Sequence, residues 1–428
     1  MLFLWKAYSI EKNLYMLDGY LVIMDILQVI GLALIAIGLV YVIYQFPILF
    51  YGYRDFTKYD IDFSKLDDKQ FSGFKMFRPM VSIIVPAKNE ETVIARTIES
   101  ILNQSYTNFE LFVVVDNSSD DTYKIAKEFE QKDTRVKVFN RADGKSKASA
   151  LNFCFQKSKG EIIATYDADT VLLKNTLENA VYGMNYFNVD VLQGYNSYIN
   201  REENIFTRLA VIDEILVKAT LIGRTHLNLF VPVAGSNQYF KRRVIKNIGG
   251  WNDKFLTEDL ESSVRISNAR YKSAYLSSAK VLQETPASYS EYFKQRTRWL
   301  RGYHQVFLHS KKRFSTFTDF DALMIVLAPT FSGIMFFGWL YISLLNFYNP
   351  FVHSMRTYFI SLIIISLIIY ASAFLLVLIK KKQNAIYLPL IYVYLTINAL
   401  ISIYTLVLEI TGAKRVWHKV KKTGKTTI

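Results

Sequence analysis

The stretch Ile162-Ile163-Ala164-Thr165-Tyr166-Asp167-Ala168-Asp169 decides the fold. A short apolar run stops abruptly at two carboxylates. Such a run reads as a buried strand, and the acids then sit at its carboxyl end. In extended chain alternate side chains point the same way, so Asp167 and Asp169 share a face. Two carboxylates on one face can hold one hard divalent ion, Mg2+ or Mn2+, which keeps several waters and takes phosphate oxygens as further ligands. Taken alone, the pair reads more simply as an acidic turn, with Asp169 capping a helix near Leu172–Tyr182.

Working outward, the pattern repeats. Val81–Val85 is a β-branched run followed by Pro86, and Glu90–Asn103 has helical period with Val93, Ile94, Ile98, Ile101 and Leu102 on one face. Leu111–Val115 is apolar and ends at Asp116. Ser119 or Asp120 is placed to cap a helix through Glu130, with Ile125, Ala126 and Phe129 inward. Val136–Phe139 reads as a strand and Lys147–Gln156 as a helix. Strands alternating with helices predict an α/β fold, a mostly parallel sheet with helices on both faces. Ligands bind beyond the carboxyl ends of such strands, where Asp116, Asp167 and Asp169 fall. Neither G-x-G-x-x-G nor G-x-x-x-x-G-K-[ST] occurs, so dinucleotide and P-loop readings have no support.

Two further constellations carry chemistry. Thr257-Glu258-Asp259 precedes a helical face formed by Leu260, Val264 and Ser267. Thr suits an N-cap and acids suit a first turn, yet the same place would also serve a general base. A helix N-terminus lowers a carboxylate's pKa, so a base there needs burial to raise it again. In Gln295-Arg296-Thr297-Arg298-Trp299, helical spacing puts Gln295, Arg298 and Trp299 on one face. Arginine fits diphosphate oxygens through paired bonds, and indole offers a flat surface to a sugar ring. The helix from Ser288 to Arg313 also reads as amphipathic and interfacial. On that reading Tyr292, Phe293, Trp299, Leu300, Tyr303 and Phe307 meet lipid, and Lys294, Arg296 and Arg301 meet headgroups.

The 428 residues are 51% hydrophobic and 21% charged, which excludes a disordered or fibrous chain. Cys154 is alone, which excludes an internal disulfide and a Cys-rich metal module. The five histidines lack metal-site spacing; His304 and His309 read as surface or interface residues. The apolar residues are concentrated. Ile26–Phe50 is nearly all apolar, and Leu323–Leu345, Tyr358–Ile379 and Ile386–Leu408 contain no Asp, Glu, Lys or Arg. Each is long enough to span a hydrocarbon core of roughly 30 Å, which predicts an integral membrane protein. The absence of ionisable residues from the last three argues against a transporter. Loop charge predicts a cytoplasmic central region. Three full spans would leave the basic tail outside, so Leu323–Leu345, with Pro329, Gly333 and Gly338, is the candidate for re-entry. The net charge of +14 is concentrated in the tail and the 294–313 helix, where anionic lipid accounts for it and nucleic acid need not.

Seven motifs in order, VSIIVPAKNEE, VVVDNSSDDT, KSKASALN, YDADT, GSNQYFKRRVIKNIGGWND, LTEDLE and QRTRWLRG, resemble the family 2 membrane glycosyltransferases of GT-A fold. That group includes poly-N-acetylglucosamine, hyaluronan and cellulose synthases. The resemblance implies an N-terminal transmembrane helix within 1–55 and a GT-A domain at 80–285. It further implies an interfacial helix at 286–314, three hydrophobic membrane segments over 323–408 and a basic tail at 409–428. Residue by residue, it implies that Pro86, Glu90 and Asp116 line the nucleotide pocket, with Lys147 close by. Asp167 and Asp169 would hold the metal and diphosphate, and Asp259 would be the base. Arg298 would steady the diphosphate. Gly235, Ser236, Glu258, Gln295 and Trp299 would serve the acceptor, with Gly249, Gly250 and Trp251 supporting this region. There are departures: Val115-Asp116-Asn117 stands where two aspartates are frequent, and Ser146 and Ser149 stand where glycines are. The implied activity is inverting transfer from a UDP-sugar to a growing β-linked polysaccharide, dependent on Mg2+ or Mn2+, at the plasma membrane. Single transfer to a polyprenyl phosphate or sphingolipid is the alternative.

Overall fold

A computed structural model describes residues 29, 33, 36–65, 78–309, 316–348, 388–415, 422 and 424. The apolar stretch Tyr358–Ile379 and the start of the first one lie outside the described residues.

The centre of the molecule is an eight-stranded sheet in the order β3-β2-β1-β4-β7-β6-β8-β5. The strands are β1 (Val81–Ala87), β2 (Phe109–Asp116), β3 (Val136–Arg141), β4 (Ile162–Thr165), β5 (Val171–Leu172), β6 (Val191–Tyr198), β7 (Gln238–Lys241) and β8 (Ser273–Gln283). The first four pair in parallel, as the βα alternation predicts. β6 and β8 are also parallel, while β7 runs against both β4 and β6, and β5 runs against β8. The sheet is therefore mixed. The antiparallel pairings are those made by β7 and β5, although the chain continues to place helices between its strands from β5 to β8.

Both faces of the parallel half are covered, which is why its strands are continuous apolar runs. Ile83, Val85, Leu111 and Val113 pack with Ile94, Ile98 and Ile101 on one side. Ile84, Phe112 and Val114 pack with Leu151, Cys154, Phe240 and Trp251 on the other. Each such buried aliphatic contributes about 1.5–3 kcal/mol over exposure.

The helices are α1 (Ala36–Arg54), α2 (Ile94–Leu102), α3 (Thr122–Lys132), α4 (Lys147–Lys157), α5 (Thr176–Tyr186), α6 (Ile205–His226), α7 (Arg242–Ile248), α8 (Glu258–Asn268), α9 (Tyr289–His309), α10 (Phe317–Tyr348) and α11 (Leu388–Ile410). Two boundaries differ from expectation for identifiable reasons. Residues 90–93 form a turn, because the Glu90 N–H donates to Thr122 Oγ1 at 2.7 Å and the Glu91 N–H to Asp120 Oδ2 at 3.2 Å. Asp121 holds the N-cap position of α3 without a side-chain bond, and the expected Asp120 supplies the carboxylate, accepting from the Thr122 N–H at 3.1 Å. Asp169 caps no helix in its neighbourhood. Leu172 belongs to β5, and α5 begins later with Asn175 at its N-cap. The two acids do lie in a turn, closed by the Thr170 N–H donating to the Asp167 carbonyl at 3.0 Å, so the acidic-turn reading holds for the turn and fails only for the helix cap.

Among the described residues one helix, Ala36–Arg54, is long and apolar enough to cross a membrane by length and composition. Ile37, Val40, Ile43, Phe46 and Phe50 on α1 are exposed, as are Val393, Leu400, Tyr404 and Val407 on α11. The stretch Leu323–Leu345 lies within α10, which runs unbroken through Pro329. Ser402 on α11 donates to the Pro329 carbonyl at 2.9 Å, and Gly333 faces Ile403.

Candidate active site

Lys147 is the hub of the site. It lies in the first turn of α4, whose N-cap Ser146 accepts from the Ser149 N–H. Its Nζ lies 2.6 Å from Asp167 Oδ1, 2.7 Å from the Gly235 carbonyl and 3.5 Å from Glu258 Oε1. One ammonium thus joins the ends of β4 and α8 and the loop before β7. Burial works against its charge, but Asp167 and Glu258 outweigh that and raise its pKa. The Asp167 N–H donates to Ser236 Oγ at 3.0 Å, and Thr170 Oγ1 is 3.1 Å from the same hydroxyl. Gly235 has φ +74°, and a Cβ there would lie 3.2 Å from Asp259 Oδ2. Glycine suits the backbone and keeps the space before Asp259 open.

Asp259 lies in the first turn of α8. Burial first, then the adjacent Glu258, pushes its pKa up to about 7, against the pull of Lys147, the Leu260 N–H and Arg298. The tension noted from sequence is resolved in favour of burial.

A second pocket edge is built from the ends of β1 and β2. Pro86 pairs in register with Val114, two residues from Asp116. Asn89, at φ +55°, accepts from the Ser119 N–H at 2.7 Å, and its own N–H donates to Ser118 Oγ at 3.0 Å, tying the two loops together. Asp116 is only 7% exposed, and no hydrogen bond is made to its carboxylate oxygens. Arg141 Nε is 3.5 Å away, and Gly144 comes so close that a Cβ would overlap the carboxylate. Burial raises the Asp116 pKa against the pull of Arg141.

Helix α9 packs against the Thr257-Glu258-Asp259 turn. Gln305 accepts from the Leu256 N–H at 2.9 Å and donates to the Lys254 carbonyl at 2.8 Å. A Cβ at Gly302 would lie 2.3 Å from Thr257 Cγ2, so only glycine lets α9 approach the Thr257-Glu258-Asp259 turn. Gln295, Arg298 and Trp299 are half-buried on this helix. Several neighbours depart from the interfacial expectation. Tyr292 and Leu300 are buried rather than facing lipid, and Arg296 and Arg301 are buried rather than meeting headgroups. Arg296 pairs with Asp213 on α6, and Arg301 pairs with Glu409 on α11. His304 is fully buried, between Thr330 and Thr405, while His309 is exposed.

The basic tail also departs from expectation. Lys422 Nζ lies 2.6 Å from Asp169 Oδ2 and donates to the Glu284 carbonyl at 2.7 Å. The Gly424 N–H donates to Glu284 Oε1 at 3.0 Å. Burial opposes the Lys422 charge, but Asp169 outweighs it and raises the pKa. Arg415 pairs with Glu409. Lys419, Lys421 and Lys425 lie outside the described residues.

With this geometry in view, the comparisons are decisive for the domain. Residues 82–249 match the family described as glycosyl transferase family 2. This chain carries a glycosyl transferase family 2 domain. The chain is 35% identical over 243 residues to the probable glycosyltransferase YdaM of Bacillus subtilis, covering 55% of this chain and 58% of the relative. It is 31% identical over 258 residues to the β-monoglucosyldiacylglycerol synthase of Trichormus variabilis, covering 58% and 55%. It is 26% identical over 245 residues to the poly-β-1,6-N-acetyl-D-glucosamine synthase of Staphylococcus epidermidis, covering 53% and 55%. The chain spans little more than half the length of these curated relatives. Among solved structures, the Pyrobaculum calidifontis mannosyltransferase PcManGT, determined with GDP-Man and Mn2+, is 17% identical with a TM-score of 0.54, covering 84% of this chain and 99% of that one. At that identity the likeness is one of fold.

The structure gathers Lys147, Asp167, Gly235 and Ser236 of the matched segment around one space with Glu258 and Asp259, which lie beyond it; Asp169 is beside Asp167 and Asp116 is at the adjoining edge. Asn152 clasps the Trp251 backbone from both sides, at 2.7 and 2.9 Å, and Gly250 abuts its side chain, so the Gly-Gly-Trp turn is a support. Sequence reasoning missed Lys422, because its charge had a simpler destination in lipid. It also missed Arg141 and Gly302; the small residue within a basic, aromatic helix was the available signal for the second.

Proposed function

We propose that the chain is a membrane-bound inverting glycosyltransferase that moves a sugar from a UDP-sugar to the end of a growing β-linked polysaccharide. The observation that carries the transfer step is Asp259, a carboxylate raised to about 7 in an open, glycine-faced space beside Lys147 and Asp167. A base poised near working pH is what general-base catalysis needs. Asp259 takes the proton from the acceptor hydroxyl as that oxygen bonds to C1 of the sugar. The bond from C1 to the UDP oxygen breaks on the opposite face, and the electron pair leaves with UDP. One displacement inverts the anomeric carbon, so an α-linked donor gives a β-linked product.

Asp116 suits the uracil. Its buried carboxylate accepts nothing from the protein, and an imide N–H would satisfy it. Asp167 and Asp169 would supply hard oxygen ligands of the kind Mg2+ or Mn2+ takes once Lys422 leaves Asp169, with Lys147 remaining on the other oxygen of Asp167. Bound there, the cation supplies charge compensation to the departing diphosphate. Lys147 holds Asp167 in place, and Arg298 steadies the diphosphate. Gln295 and Trp299 on α9, with Gly235, Ser236 and Glu258, receive the acceptor. The exposed apolar faces of α1 and α11 suit lipid, with the family 2 domain on the cytoplasmic face of the plasma membrane.

A second reading, one transfer to a membrane lipid, is favoured by the 31% identity to a β-monoglucosyldiacylglycerol synthase. Membranes containing the chain, supplied with a panel of radiolabelled nucleotide sugars and Mn2+ or Mg2+, separate the two. High-molecular-weight product from a UDP-sugar supports the polysaccharide reading. Label confined to an organic-extractable lipid supports the second. No transfer from any donor overturns both.

A further inference from the structure

Arg296 lies three residues before Trp299, between helices α6, α9 and α11. Its guanidinium donates to Asp213 Oδ2 at 2.8 Å, and Tyr394 on α11 donates to the other oxygen of the same carboxylate. The guanidinium carbon lies 4.8 Å from the Trp299 ring centroid, 5.1 Å from that of Tyr292 and 5.8 Å from that of Tyr394. Asn398, one turn after Tyr394, donates to the Tyr292 hydroxyl at 3.1 Å. The side chain is 7% exposed. A planar cation can stack on indole and hydrogen-bond sideways at once; an ammonium cannot. A buried ion pair is a poor source of stability compared with apolar side chains of equal volume. Its other recognised use is to fix one geometry, and the geometry fixed here includes the Trp299 ring.

We propose that Arg296 is a positioning residue. Clamped by Asp213 and Tyr394, it sets the Trp299 indole for the acceptor and ties that setting to helix α11. The proposal rests on the reading of Trp299 as an acceptor platform. It gives the apolar helix a part in transfer besides anchoring, since a shift of Tyr394 reaches the acceptor ring through two contacts.

The test uses the full chain in nanodiscs. Arg296→Lys keeps a cation for Asp213 but loses the plane, and Asp213→Asn keeps the shape but loses the charge. Three quantities are read: turnover of sugar transfer from the UDP-sugar at saturating donor, the donor KM, and acrylamide quenching of Trp299 taken as the difference from a Trp299→Phe protein. Turnover should fall about tenfold or more in both variants, as a displaced positioning group does. Donor KM should stay within about twofold, and Trp299 should become easier to quench. Wild-type turnover in both variants overturns the proposal, as does a rise in donor KM that parallels the fall in turnover, the mark of a merely structural role. If the unmodified chain transfers no sugar, the glycosyltransferase reading fails and takes the platform with it. If the chain transfers and the variants match it, only the positioning role fails.

Discussion

At the scale of single residues, the decisive group is Asp259. Its pKa is raised to about 7, so its base form grows as pH rises through that value. Transfer per unit of enzyme and substrate should fall by about tenfold for each pH unit below it and level off above. A kcat/KM profile flat from pH 5 to 8, of the order the general base would not allow, would remove Asp259 from the role. Asp259→Asn keeps the shape and removes the base. It should lower transfer by about a hundredfold or more and leave UDP binding intact by calorimetry. Asp116, Asp167, Asp169, Lys147 and Asp259 were singled out by residue type and motif order, and the structure places Lys147 against Asp167 and beside Asp259. The pKa was not legible, because it depends on which residues enclose the carboxyl, and Lys147 is 112 positions away in the chain.

Elements raise a different question, that of close approach. Helix α9 reaches the site only because Gly302 has no Cβ. Gly302→Ala should push α9 from the Thr257 turn, cost about 1–3 kcal/mol in denaturant unfolding of the detergent-solubilised chain, and lower transfer as well. Full stability and activity in that variant would mean the contact is slack. The tail gives a second prediction. Asp169 raises the Lys422 pKa, which keeps the amine protonated and slow to acylate. Labelling with an amine-reactive ester at mildly alkaline pH, read by mass spectrometry, should be slow at Lys422 and faster in Asp169→Asn. Equal rates in both proteins would undock the tail. Neither feature was readable in sequence. A glycine in a helix has several uses, and a basic tail has lipid as an obvious partner.

The whole molecule is joined by a buried charge cluster. Arg224 on α6, 2% exposed, pairs with Asp321 on α10 and donates to Tyr44 on α1 at 2.9 Å and to the Phe230 carbonyl at 2.6 Å. Tyr44 also donates to Asp321. This cluster connects the sheet domain to two apolar helices. Removing one partner from a buried pair leaves a stranded charge, so Asp321→Ala should cost about 3–5 kcal/mol. Its midpoint in a thermal scan of the solubilised protein should fall accordingly; an unchanged midpoint would mean water reaches Arg224.

What the sequence determined by itself is what local patterning and motif order encode. The alternation from Val81 to Thr165 determined a parallel sheet covered on both faces. The acids at the ends of β2 and β4 marked the sheet edge proposed for the ligand, and uncharged runs marked the segments expected to seek an apolar surrounding. Tertiary structure decided the antiparallel half of the sheet, the burial of Arg296, Arg301 and His304 on a helix expected to lie on lipid, and the docking of Lys422 on Asp169. The physical reason is range. Propensity and periodicity act over a few residues and survive in the sequence, whereas the partner of a buried charge is set by which distant elements close over it.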